Sequence, residues 1–152
     1  MKPKEIFMSH IYAESYLNFT EEYLSQLKAS IELMRRGNID GNAVSNRDGD
    51  ENKVICDINY KGDINWPHKH QGNLAGVFYL DTHENCGDLI LDSFNFNQHC
   101  KISSYLSSKE KVIVVPKNNK IVLFDSNCMH YVTKNLSDKI RISMSFNIKI
   151  YD

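Results

Sequence analysis

Residues 140–150 read Ile140-Arg141-Ile142-Ser143-Met144-Ser145-Phe146-Asn147-Ile148-Lys149-Ile150, apolar and polar in strict alternation. A period of two is that of a β-strand, whose successive side chains point to opposite faces. One face must therefore pack against a core or a helix, and the other is polar. Seven shorter β-rich runs precede it, at 54–60, 64–70, 74–81, 88–94, 111–115, 121–125 and 130–134, with polar turns between them. Eight strands at near-regular spacing predict an antiparallel sandwich or barrel in preference to a parallel sheet with crossover helices.

Upstream the period changes. Thr20 is placed to cap a helix, Glu21 and Glu22 suit its positive end, and Leu24, Leu27, Ile31 and Met34 recur at helical spacing. Arg35 and Arg36 fall in the last turn and Gly37 closes it, giving a helix over about 20–36 whose apolar stripe should lie on the outside of the larger sheet. Residues 37–51 turn to Gly, Asn, Asp and Ser and read as a loop. The chain of 152 residues is expected to form one domain, with its β core over about 53–151.

Eighteen Lys and Arg against nineteen Asp and Glu leave a net charge of −1, so no global field favours nucleic acid or an acidic membrane. Neither a signal peptide nor a membrane-spanning run is expected. Four scattered cysteines, Cys56, Cys86, Cys100 and Cys128, suit reduced thiols in a cytoplasm better than a disulfide framework.

Two imidazoles separated by one residue, His68 and His70, share a side of a strand and can face one metal while Lys69 points away. The pair alone does not name the metal. His130 follows the apolar run 121–124, which could carry a third imidazole to the rim of a sheet. Arg141 comes eleven residues later with Ser143 beside it on the polar strand face. A guanidinium with a hydroxyl as second donor is suited to capture of a carboxylate. Together these residues describe a metal pocket with a carboxylate anchor.

The order His68-x-His70, then Leu74-Ala75-Gly76-Val77-Phe78-Tyr79-Leu80, Cys86-Gly87-Asp88-Leu89-Ile90-Leu91, Val115-Pro116, His130 and Arg141-Ile142-Ser143 resembles the core of Fe(II)/2-oxoglutarate-dependent oxygenases. The likeness covers about residues 44–150 and is greatest to oxygenases of phages and marine bacteria related to prolyl hydroxylases. It implies a fold that is mainly β with an N-terminal helix, a double-stranded β-helix or jelly roll. It implies His68, His70 and His130 as iron ligands, Arg141 and Ser143 at the distal carboxylate of 2-oxoglutarate, Tyr79 reaching the same carboxylate and Tyr60 as a further candidate there. The implied cofactors are Fe(II), 2-oxoglutarate as co-substrate and O2. The implied reaction is hydroxylation of a C–H bond, on a protein side chain resembling proline or on a small metabolite, with decarboxylation of 2-oxoglutarate to succinate. The expected partner is a small-molecule or peptide substrate, with room for a homodimer and no role for nucleic acid or membrane.

His70 departs from the wider superfamily, which places an Asp or Glu there. Three arrangements stay open: His70 ligates, a carboxylate such as Asp63 or Asp81 swings in, or His70 supports a ligand. Two competing functions also stand beside the resemblance, a cupin-type metal enzyme without 2-oxoglutarate and an inactive jelly roll that binds a sugar or protein. Neither requires a guanidinium at position 141. A zinc site from His83, Cys86, His99 and Cys100 is disfavoured because adjacent strand residues face opposite ways. Trp66, ahead of Pro67, is expected to be packed rather than to meet substrate. Substrate choice is expected to lie with the loops at 37–51 and 95–109.

Overall fold

The computed structural model describes residues 12–37, 55–92 and 111–151. Its elements run β1 (Tyr12–Tyr16), α1 (Glu21–Gly37), β2 (Ile55–Asn59), β3 (Asn65–His68), β4 (Leu74–Asp81), β5 (Leu89–Asp92), β6 (Lys111–Val114), β7 (Lys120–Asp125), β8 (Met129–Val132) and β9 (Arg141–Ile148). All eight runs read as strands are strands. The helix begins where its cap predicts, with the Tyr23 backbone N–H donating to Thr20 Oγ1 at 3.2 Å. Residues 38–54 and 93–110, which hold the two loops expected to select substrate, lie outside the described residues.

Two antiparallel sheets face each other. The larger has the order β1-β7-β4-β9-β2 and the smaller β3-β8-β5-β6. Strands consecutive in sequence from β2 to β9 alternate between sheets except at the pair β5–β6, as a double-stranded β-helix requires. The strand β1 is an addition that alternation could not reveal. Its five side chains are all exposed, so it has no buried face; it exists by backbone pairing along β7, from Tyr12 opposite Phe124 to Tyr16 opposite Lys120. Lys120 Nζ adds an ion pair to Glu14 at 3.2 Å.

The central strands of the larger sheet are covered on both sides. Outside, Leu24 and Ile31 of α1 pack with Phe78, Leu80 and Ile142, so the helix lies where its stripe predicts. Each such buried side chain contributes about 1.5–3 kcal/mol relative to exposure. Inside, Ala75, Tyr79, Val122 and Phe124 meet Leu89, Leu91 and Val114 of the smaller sheet. The apolar side of β9 thus faces the helix, and its polar side, beginning with Arg141 and Ser143, turns into the space between the sheets, where both are 2% exposed. Among the described residues no helix is long and apolar enough to cross a membrane.

The turn between β4 and β5 contains a backbone position that only glycine can fill well. Gly87 has φ +91°, and a Cβ there would run into the carbonyl oxygen of Thr133. A left-handed conformation and a backbone collision act together. Gly87→Ala is therefore expected to lower stability by about 2–3 kcal/mol, read as a lower urea midpoint with an unchanged slope.

Candidate active site

The smaller sheet delivers the three imidazoles. His68 ends β3 and His130 lies in β8 directly opposite it in the strand register, while His70 follows in the turn after β3. Their nearest ring nitrogens lie within 4.8 Å of one another. His130 is 4% exposed and the other two are half-buried. Backbone carbonyls set the rings. His68 Nδ1 is 2.6 Å from the Trp66 carbonyl oxygen and His130 Nδ1 is 2.9 Å from that of Cys128. A ring nitrogen facing a carbonyl oxygen must carry the proton, which leaves Nε2 of both rings with a free lone pair. His70 Nε2 approaches His130 Nε2 to 3.0 Å. Two ring nitrogens so close share either a proton or a cation, and a third imidazole beside them favours the cation.

Burial keeps the His70 and His130 rings neutral, the form that ligates metal. It pushes His70 down to about 4, helped by the neighbouring His68, and His130 down to about 3 against the opposing hydrogen bond to Cys128. Both lie below the ordinary 6.5. The unfolded chain then takes up protons first as the pH falls, so the stability from these groups is intact above about pH 6.5 and is lost toward pH 4. The metal-free protein should show a falling urea midpoint across that window. A flat profile from pH 7 to 4.5 would mean that the rings are not desolvated.

The larger sheet supplies the anchor. Arg141 Nη1 donates to the carbonyl oxygens of Gly87 at 3.1 Å and Cys86 at 3.4 Å, and Nη2 donates to Asn59 Oδ1. Its Nε–H is buried and has no acceptor among the described residues. A buried guanidinium with a donor to spare fits an incoming carboxylate. Tyr79 stands beside it in the sheet, opposite Ser143 in the β4–β9 register and 2% exposed. Burial pushes the Tyr79 phenol up, partly offset by Arg141, so it stays a hydroxyl donor.

One cavity, open to solvent, connects the two groups. His68, His70, His130, Tyr79, Arg141 and Ser143 all line it. Tyr60 does not: it lies in the turn after β2, 44% exposed, because the strand ends at Asn59 and the inward position next to Arg141 belongs to that residue. The alternative carboxylates are engaged elsewhere. Asp63 accepts the Tyr60 backbone N–H at 2.8 Å, and Asp81 pairs with Lys28 at 3.3 Å. Trp66, expected to be packed, is 76% exposed. A shift of register between Asn65 and His68 takes the strand out of simple alternation there, so its side chain does not follow His68 into the cavity. His83 faces Asp81 at 3.7 Å, and His99 and Cys100 lie outside the described residues.

Sequence reasoning missed Asp57 and Asn59. Both are 7% exposed on the inner face of β2, and Asp57 lines the cavity. The signal was present in the alternation of Cys56 and Ile58 with Asp57 and Asn59.

Residues 55–147, more than half of the chain, match the family model described as "Putative 2OG-Fe(II) oxygenase". The chain belongs to this family of non-haem iron, 2-oxoglutarate-dependent oxygenases, whose cofactors are Fe(II), 2-oxoglutarate and O2. No curated protein sequence matches it. Among solved structures it is similar to HygX from Streptomyces hygroscopicus with nickel and 2-oxoglutarate bound, at TM-score 0.62, 9% identity, and coverage of 88% of this chain and 80% of that one. It is similar to the non-haem α-ketoglutarate-dependent carbocyclase SnoK from nogalamycin biosynthesis, at TM-score 0.62 and 10% identity over 88% of this chain and 77% of that one. A Pseudomonas putida prolyl-4-hydroxylase matches at TM-score 0.57 and 14% identity, over 94% of this chain and 90% of that one. At such identities the likeness is one of fold.

Proposed function

We propose that the protein hydroxylates a C–H bond of a protein side chain or small metabolite, coupled to decarboxylation of 2-oxoglutarate to succinate. The observation that carries this reading is one cavity with three clustered imidazoles on one wall and a buried guanidinium with a spare N–H on the other. His68, His70 and His130 would hold iron, and Arg141, Ser143 and Tyr79 would hold the far carboxylate of 2-oxoglutarate. When bound, iron and co-substrate supply the activation of dioxygen. The chain supplies orientation: the Trp66 and Cys128 carbonyls fix two ring tautomers, and Asn59 with the Cys86 and Gly87 carbonyls fixes the guanidinium. Apolar side chains, Val77, Leu89, Phe124 and Val132, line the space between and limit water.

Neither a cupin-type enzyme without a 2-oxoacid nor an inactive binding module gives a reason to bury Arg141 at such cost. Anaerobic addition of Fe(II) and then 2-oxoglutarate should produce a weak visible charge-transfer band. A well-folded protein that binds iron but shows no band would count against the reading. Screening peptides and small metabolites for stimulation of succinate release then selects between the two substrate classes.

A further inference from the structure

Along β8, His130 and Val132 lie two residues apart and both line the cavity, as strand alternation requires. Their partners on β3, His68 and Asn65, lie three residues apart. A straight strand would turn residues so spaced to opposite faces. The register shift between them admits one extra residue and returns Asn65 to the inner wall, where it lines the cavity, half-buried. Its carboxamide makes no hydrogen bond to another described residue.

The turns of the chain place Asn65 at the Arg141 end of the gap. Strand β2 ends at Asn59 and the next begins at Asn65, while β8 ends at Val132 and the next begins at Arg141. Asn59 is the register partner of Arg141, and Val132 that of Asn65. Asn135 ties these segments together, its Nδ2–H donating to the Asn59 carbonyl at 3.0 Å and its backbone N–H to the Asp63 carbonyl at 3.0 Å. His68 leads the other way, to Leu74, which pairs with Ile148 at the far end of β9 from Arg141. The imidazole rung therefore stands two residues of strand, about 7 Å, from Asn65 along the same wall.

We infer that Asn65 is a specificity residue that binds the far carboxylate of 2-oxoglutarate from the metal-bearing sheet, opposite Arg141. A 2-oxoacid held at its keto end by a metal on the imidazoles extends its carbon chain along the gap toward Asn65 and Arg141. A carboxylate has about four acceptor positions. Arg141, Ser143 and Tyr79 meet those that face the larger sheet, and an N–H of Asn65 meets one that faces the smaller. The carboxamide is neutral, so it supplies this donor without the cost of a second buried cation. With the head fixed on the metal and the tail gripped from both sheets, the site measures the length of the oxoacid.

This inference rests on the metal and co-substrate roles proposed above, and its test separates the two. The full chain loaded with nickel(II) is titrated with 2-oxoglutarate and with pyruvate, which shares the keto-acid head and lacks the far carboxylate. Asn65→Ala should weaken 2-oxoglutarate about tenfold and leave the affinities for pyruvate and nickel unchanged. A merely structural role would lower all three with the urea midpoint. The same variant should improve 2-oxoadipate, one carbon longer, relative to 2-oxoglutarate. Should Asn65→Ala fail to fold, Asn65→Gln, which advances the carboxamide by one methylene, should shift the preference from 2-oxoglutarate toward the shorter oxaloacetate. An unchanged ratio of 2-oxoglutarate to pyruvate affinity in Asn65→Ala, or an unchanged length preference in Asn65→Gln, would overturn the inference. Failure of the unaltered protein to bind nickel or 2-oxoglutarate would instead defeat the proposed function.

Discussion

His130→Ala is expected to abolish the succinate formation proposed above and to lower metal affinity by more than about a hundredfold, the largest loss of the three imidazoles. The reason lies in burial and in the ring's two attachments. His130 is the most buried of the three imidazoles, is fixed by the Cys128 carbonyl and stands opposite His68 in the strand register. Truncation removes a preset lone pair and leaves that carbonyl without its donor. His70→Ala should lose less, because its ring is half-buried in a turn. Nickel titrations of both variants give the ranking. Equal and small losses would place the metal elsewhere. Neither substitution touches the helix packing, so both proteins should retain a cooperative transition in urea.

The second large effect falls on Arg141. Arg141→Met is expected to raise the dissociation constant for 2-oxoglutarate by about a hundredfold or more while changing metal affinity far less. A charge-assisted hydrogen bond from the spare Nε–H to a carboxylate contributes about 1.5–3 kcal/mol, and the guanidinium's charge vanishes with it. The substitution also leaves the Cys86 and Gly87 carbonyls and Asn59 without their shared donor, so a loss of about 2–4 kcal/mol in stability accompanies it. Asn59→Ala separates the two consequences. It loosens the guanidinium without removing it and should weaken 2-oxoglutarate several-fold. Equal losses of metal and 2-oxoglutarate in Arg141→Met would place the guanidinium outside the co-substrate pocket.

The fold was legible where one side of a strand differs from the other. The alternation from Ile140 onward, and the stripe from Leu24 to Ile31, located β9 and α1; the apolar side of β9, read as facing a core or a helix, faces the helix. The strand β1 was not legible because none of its side chains is buried; it is held by backbone groups, which no residue type records. The site was legible in the spacing of His68, His70, His130 and Arg141, whose donor atoms have few other uses at such burial. Its supporting shell was not. Carbonyl oxygens orient His68, His130 and Arg141, and carbonyls are present at every position of every sequence. Tyr60, read toward the co-substrate pocket, lies outside the cavity because the strand ends at Asn59, and Trp66, read as packed, is exposed where the register of β3 shifts. Asp57 was passed over because its strand was read for its apolar residues, although in β2 and β9 alike the polar face is the one that faces inward.

That the imidazoles belong to one sheet and the guanidinium to the other has a consequence for how this enzyme can vary. On the function proposed above, the reactants would sit in a gap whose width is set by core side chains outside the cavity lining, such as Leu91 and Val122. Trimming such a spacer would draw the two plates together and change the reach from metal to anchor, leaving every reactive residue in place. Calibre and chemistry are therefore separately adjustable, and a core substitution far from any ligand can act on turnover as a change of gauge.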